Sequence, residues 1–200
     1  MTAGRLAAQI GSLIGVLVVG FSPSHASAQH DHTQAFASPH HESTPDQKKQ
    51  AGAFVRLVRE STERFRDVAV AQAEGYALQF GCVSGSDTGA MGLHFVKGSL
   101  VGDDVLDPTR PEILIYEPAP GGRLRLTGAD YLVFADTWHK SHGAATPELM
   151  GQLLHLFESP NRFGLPAFYT LHVWAWKDNP NGTFVNWHPD VSCDGFNPQN

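Results

Sequence analysis

The chain has 200 residues, and 14 Lys+Arg against 20 Asp+Glu give it a formal net charge of −6. With 42% hydrophobic and 17% charged residues the composition is globular, which excludes a disordered polyelectrolyte and a coiled coil. The acidic balance argues against nucleic acid as a partner, and two cysteines are too few for a disulfide-dense miniprotein or a Cys₄ zinc site.

Residues 1–28 have the pattern of a secretory signal peptide. Arg5 supplies the positive start, Leu6 to Phe21 an apolar run, and Ala26-Ser27-Ala28 a cleavage site. The run is shorter than a membrane span, and no later segment is long and apolar enough to cross a bilayer after cleavage. The expected location is therefore periplasmic or secreted. In an oxidising compartment Cys82 and Cys193 should pair. Residues 29–46 are a polar tail, expected to be disordered, that carries His30, His32, His40 and His41. Such a tract can chelate transition metals without folding.

A single α+β domain is expected over 47–200. The apolar positions Phe54, Leu57, Val58, Phe65, Val68 and Ala69 recur at helical spacing. They predict one long helix over 47–74, with Asp46 as N-cap and Gly75 as the stop. The glycine-rich stretch from Gly81 to Gly92 reads as a loop that lacks any phosphate-binding signature. Leu93–Val96 reads as a short strand. Segments 112–117 and 123–136 read as a hairpin about the turn PAPGG, with a bend at Gly128. Thr146-Pro147 has the form of a helix start and predicts a helix over 147–158. Segment 168–177 reads as an aromatic-rich strand, DNPNG as a turn, and 183–187 as a return strand. Together these give a mostly antiparallel, curved sheet of about five strands with helices on one face.

Histidine is abundant, with 11 in the chain. In LHVWAW, strand alternation puts His172 on a face with Thr170, Trp174 and Trp176. In GLHFV, His94 shares a face with Val96. In ILIYE, Glu117 shares one with Ile113 and Ile115. If these faces line one concave surface, His94, Glu117 and His172 converge. Two imidazoles and a carboxylate hold Zn²⁺, Fe²⁺ or Cu²⁺ with a coordination position left open. His188, in WHPD, could join His172 across the hairpin. His139 and His142 form an H-x-x-H pair in an expected loop, and His155 falls on the expected 147–158 helix. Asp130, Asp136 and Glu117 could supply a carboxylate pair, though any chain of this size offers such pairs. Phe134, Tyr169, Trp174 and Trp176 are candidates for an aromatic cavity. There is no G-x-S-x-G nucleophile motif and no C-x-x-C-H haem site.

At GAMGLHF, PEILIYEP, GADYLVF and LHVWAWKDNPNGTF…VSC the chain resembles a family of exported bacterial proteins without an assigned activity. The resemblance covers roughly residues 65–193. It implies an exported domain and carries no catalytic residue across. The expected function is that of an exported binding protein for Cu or Zn. In that reading strand histidines form the folded site and the tail collects metal. One alternative is a domain or enzyme that takes a small apolar molecule in an aromatic cavity, with a histidine as general base. Another is an envelope interaction module with no small ligand.

Overall fold

The computed structural model describes residues 43–85 and 87–196. The expected signal peptide and the tail histidines His30, His32, His40 and His41 lie outside the described residues. The element order begins with helix α1 (Pro45–Thr62), a 3₁₀ turn (Glu63–Arg66) and helix α2 (Val68–Ala73). Strands β1 (Ala77–Ser84) and β2 (Ala90–Val96), a short helix α3 (Gly98–Val101), and strands β3 (Ile113–Ala119) and β4 (Arg123–Phe134) follow. Helix α4 (Ala135–His142) leads to β5 (Glu148–Leu149), β6 (Gln152–Leu153), β7 (His155–Phe157) and β8 (Phe168–Val173).

The sheet is antiparallel and curled, in the order β1-β2-β3-β4-β8-β7, with β5 and β6 forming a separate two-stranded ribbon. The α+β class and the curved antiparallel sheet are as expected, with six strands in place of about five.

The expected long helix is broken near its middle. It starts earlier, because Thr44 and not Asp46 is the N-cap. The Thr44 hydroxyl accepts from the Gln47 N–H at 3.2 Å, and the Gln47 side chain accepts from the Thr44 N–H at 2.8 Å. Pro45, which has no N–H to leave unpaired, takes the first helical position. Phe54, Val58 and Thr62 fall every fourth residue and form the buried stripe. The helix then gives way because the carbonyl of Phe65 is claimed by the Tyr116 hydroxyl at 2.7 Å. The N–H of Ala69, which would have met that carbonyl, bonds instead to the Asp67 side chain at 3.0 Å. Asp67 thereby starts α2.

Both helices cover one face of the sheet. Phe54 and Val58 pack on Ala129, Tyr131 and Val133 of β4 and on Tyr169, Leu171 and Val173 of β8. Phe65 and Ala71 pack on Leu93, Phe95, Leu114, Tyr116 and Leu126. The alternate positions face the other way, and Ile113, Ile115, Leu132 and Phe168 form a cluster there.

Three further expectations are corrected. Gly81–Gly92 is mostly strand, because β1 runs to Ser84 and β2 starts at Ala90. No helix forms over 147–158. Met150 and Gly151 both have positive φ (50° and 80°), the signature of a two-residue hairpin turn between β5 and β6. Leu149 and Leu154 are buried while Leu153 and Leu156 are exposed, so the leucines do not form a helical stripe. The stretch 183–187 is not a return strand. β8 stops at Val173, and the later chain reaches the start of β2, where His188 forms a bridge to Ala90. The expected disulfide Cys82–Cys193 is present, with Cα atoms 5.7 Å apart, and ties this segment to β1.

Glu112, at the head of β3, is fully buried. One oxygen accepts from the Leu132 N–H at 3.1 Å and the other has no partner. Burial pushes its carboxyl up to about 8 from 4.5. Between these values this carboxyl keeps a proton in the folded chain that it has lost in the unfolded chain, so its own contribution to stability falls as pH rises through that window. Glu112→Gln should flatten the slope, by at most about 1.4 kcal/mol per pH unit. Thermal melts of both proteins across that range check this, and parallel curves would refute it.

Candidate metal centre

The face of the sheet away from α1 carries His94 on β2, Asp130 on β4 and His172 on β8. Register places Asp130 directly opposite His172. β3 separates β2 from β4, and His94 sits opposite its Ile115. In a flat sheet, strands two apart lie about 9.5 Å from each other. Here the sheet curls, and the three side chains bring one ligand atom each to within 4.8 Å of one another. All three are nearly sealed, with His94 5% exposed, Asp130 6% and His172 1%.

Two glycines make room for this arrangement. A Cβ on Gly128 would stand 2.2 Å from the Val173 carbonyl oxygen, so only glycine lets β4 approach β8 beside the site. Next to it the β3–β4 register slips at Thr127, close to the expected bend. Gly92 has φ +97°, and a Cβ there would lie 2.4 Å from the Tyr116 carbonyl oxygen. Its own carbonyl faces His94 Nδ1 at 3.2 Å. Gly92→Ala therefore combines backbone strain with a clash and displaces the group that orients His94. It should cost at least 1–2 kcal/mol, to order of magnitude, in chemical denaturation. An unchanged midpoint would show that the carbonyl does not need its position.

The contacts fix which atoms are available. The Gly92 carbonyl can only accept, so His94 Nδ1 carries the hydrogen and Nε2 keeps its lone pair. Asp130 Oδ1 accepts from the Thr170 hydroxyl at 2.5 Å. Asp130 Oδ2 lies 4.0 Å from His172 Nδ1, too far for a direct hydrogen bond. His172 Nε2 is buried with no hydrogen-bond partner. An ion about 2.0–2.2 Å from each ligand needs these atoms roughly 3.4 Å apart, closer than the 4.8 Å within which they lie here.

The electrostatics suit ligands more than charges. Burial lowers His94 to about 4, against the opposing effect of the Gly92 hydrogen bond. Burial lowers His172 well below its ordinary value, and His94 and His188 push the same way. Both rings are thus neutral with lone pairs free. Burial raises Asp130 to about 7, against the hydrogen bonds from Thr170 and the backbone N–H groups of Leu171 and Tyr131. A bound cation would favour the ionised form.

No family model, curated protein or solved structure matches the chain. The functional reading therefore stands on this geometry.

Glu117 is not in the group. It shares the face, but it lies two residues beyond Ile115 along β3, and its oxygens are taken by Arg125 and by Lys177 Nζ at 2.8 Å. Its place is filled by Asp130, an acid in the middle of the apolar run GADYLVF. His188 is buried beside Trp174, their ring centroids 4.8 Å apart. Its Nδ1 accepts from the Asp190 N–H and its Nε2 meets the Asp178 carbonyl, both at 3.0 Å, so neither nitrogen is free to ligate. His139 and His142 lie on α4 and not in a loop. His139 bonds the Tyr169 hydroxyl at 3.1 Å, and His142 stacks on Trp138. His155 is exposed on β7.

The expected aromatic set divides. Trp174 packs on His172, with centroids 4.5 Å apart. Tyr169 faces α1. Trp176 lies past the end of β8, where the chain turns, and its indole N–H donates to Thr62 at 3.0 Å. Phe134 lines a separate groove with Val96 and Val101. The cavity over His94, Asp130 and His172 is walled instead by Phe80, Phe157, Phe163 and Phe168, with Met91 and Leu165.

Proposed function

We propose that the protein is an exported binder of a single transition metal ion, Zn²⁺ or Cu²⁺, held by His94, Asp130 and His172. The observation that carries this reading is the convergence of one ligand atom each from His94, Asp130 and His172 within 4.8 Å of one another, all three side chains being buried. Two neutral imidazoles and one carboxylate suit Zn²⁺ and Cu²⁺ better than Ca²⁺ or Mg²⁺.

Three protein ligands also leave a position open, which favours a centre that receives an outside ligand over a closed structural site. The disulfide fits an oxidising compartment. Among the described residues no helix is long and apolar enough to cross a membrane. With the Ala26-Ser27-Ala28 pattern, these features support export. The tail histidines would then act as low-affinity collectors.

The test is elemental analysis of protein exported without an affinity tag, with His30, His32, His40 and His41 replaced by Asn. About one ion per chain is expected, lost in His94→Ala and in His172→Ala. Metal that disappears with the tail histidines alone would reduce the protein to a chelating tail.

A further inference from the structure

We infer that the outside ligand of this centre is a molecule of two or three non-hydrogen atoms, and that Phe80 sets the limit. The inference rests on the metal reading above. The space open to water centres over the three ligands is about 30 Å³, against the roughly 10–15 Å³ that one water needs. That space fits an ion with one small ligand and excludes a ring.

The walls are interlocked aromatic rings. Phe157 stacks on Phe168 with centroids 5.1 Å apart. Phe163 meets Phe168 edge-on at 6.1 Å, and Phe80 meets Phe163 edge-on at 5.4 Å. Besides the three ligands, the polar lining residues are Thr170 and Asn186, and the Thr170 hydroxyl is already committed to Asp130. A ligand with many polar groups would lose its hydration without replacement.

Phe80 differs from the other three rings. Phe168 belongs to the core, and Phe157 and Phe163 pack against it, whereas Phe80 is 48% exposed on the edge strand β1. Phe80 and Gly81 both have positive φ, 63° and 64°. The pairing of β1 with β2 jumps there, from Gln79↔His94 to Cys82↔Leu93. A bulky side chain with positive φ is rare, and such strain concentrates where a particular placement of the residue is needed. The bulge carries the ring over the cavity at a position adjacent to the partner of His94.

Phe80→Gly removes the ring and suits the local backbone, because glycine adopts this φ without strain. The protein with the four tail histidines replaced by Asn is loaded with Co²⁺, whose visible absorption reports its ligands. Azide and benzoate are then titrated into this protein and into its Phe80→Gly form. The expected result is that azide shifts the spectrum of both. Benzoate shifts only the Phe80→Gly form, and binds it at least about tenfold more tightly than the form with Phe80. Equal benzoate binding in both forms, or azide without effect on loaded protein, would overturn the size limit and leave the metal reading intact. Failure to take up Co²⁺, Zn²⁺ or Cu²⁺ would overturn the metal reading, and the inference with it.

Discussion

Replacing Cys82 and Cys193 together with serine should lower the free energy of unfolding by about 4–5 kcal/mol. The bond joins residues 111 apart in sequence, so its loss frees nearly the whole domain in the unfolded state. A cross-link over a loop of this length restricts the unfolded chain by roughly that amount. The folded state depends on it as well. After β8 ends, few regular backbone hydrogen bonds hold the described residues. They include the two between His188 and Ala90 at 3.1 and 3.2 Å and the one that the Trp174 backbone N–H donates to the Thr183 carbonyl, and the Trp174 indole N–H donates another to the Val185 carbonyl. Val191 packs with Trp174 and Ala90 in a small cluster that Cys193 borders. Without the bond this terminal segment should open before the rest of the sheet. Trp174, packed on His172, would then lose its cover. Denaturant unfolding of the oxidised and double-serine proteins gives the difference, and Trp fluorescence should report an early phase only in the variant. A loss below about 1 kcal/mol would mean that the cluster and the Ala90 bridge hold the segment unaided.

The parts of the fold legible in the sequence were those governed by alternation and turn chemistry. PAPGG and the runs on either side gave β3 and β4 within a residue or two at their near ends. The helical stripe of Phe54 and Val58 gave α1. The parts that were not legible depend on partners distant in sequence. The Tyr116 hydroxyl breaks the first helix, and nothing near Phe65 announces it. In TPELMGQLLHLF the start signals for a helix are correct in kind, but Met150-Gly151 turns the chain back as a hairpin.

The site follows the same division. Alternation put His94 and His172 on inward faces, and the structure brings them together. It also put Glu117 on that face but could not tell how far along the strand it lay. Choosing Asp130 over Glu117 needs the β4–β8 register, which pairs Asp130 with His172, and the curl that brings β2 over β4. Neither is written in local spacing. One local signal pointed the right way. An acid in the middle of a strand as apolar as GADYLVF must find a partner or stay protonated, whereas Glu117 stands next to a turn, where Arg125 and Lys177 can reach it.

Saturating metal should raise the stability of the wild-type protein by about 4 kcal/mol when the free ion is near a thousand times its Kd, because only the folded chain assembles the three ligands. His172→Leu should abolish that gain and, without metal, leave the variant more stable than the wild type. His172 is 1% exposed, and its Nε2 has no partner. Leucine has a similar volume and fills the space against Trp174 without burying a polar atom, which should return about 1–3 kcal/mol. An opposite response of the two states separates a ligand from a structural residue. A histidine serving only the core would destabilise the protein when replaced, with or without the ion. Thermal melts of both proteins, each with chelator and with excess Zn²⁺, supply the four values. A variant that is less stable than wild type in chelator would show that His172 makes a bond the fold requires. A wild type indifferent to Zn²⁺ and Cu²⁺ alike would show that the two buried rings and the carboxyl of this pocket serve some purpose other than ligation.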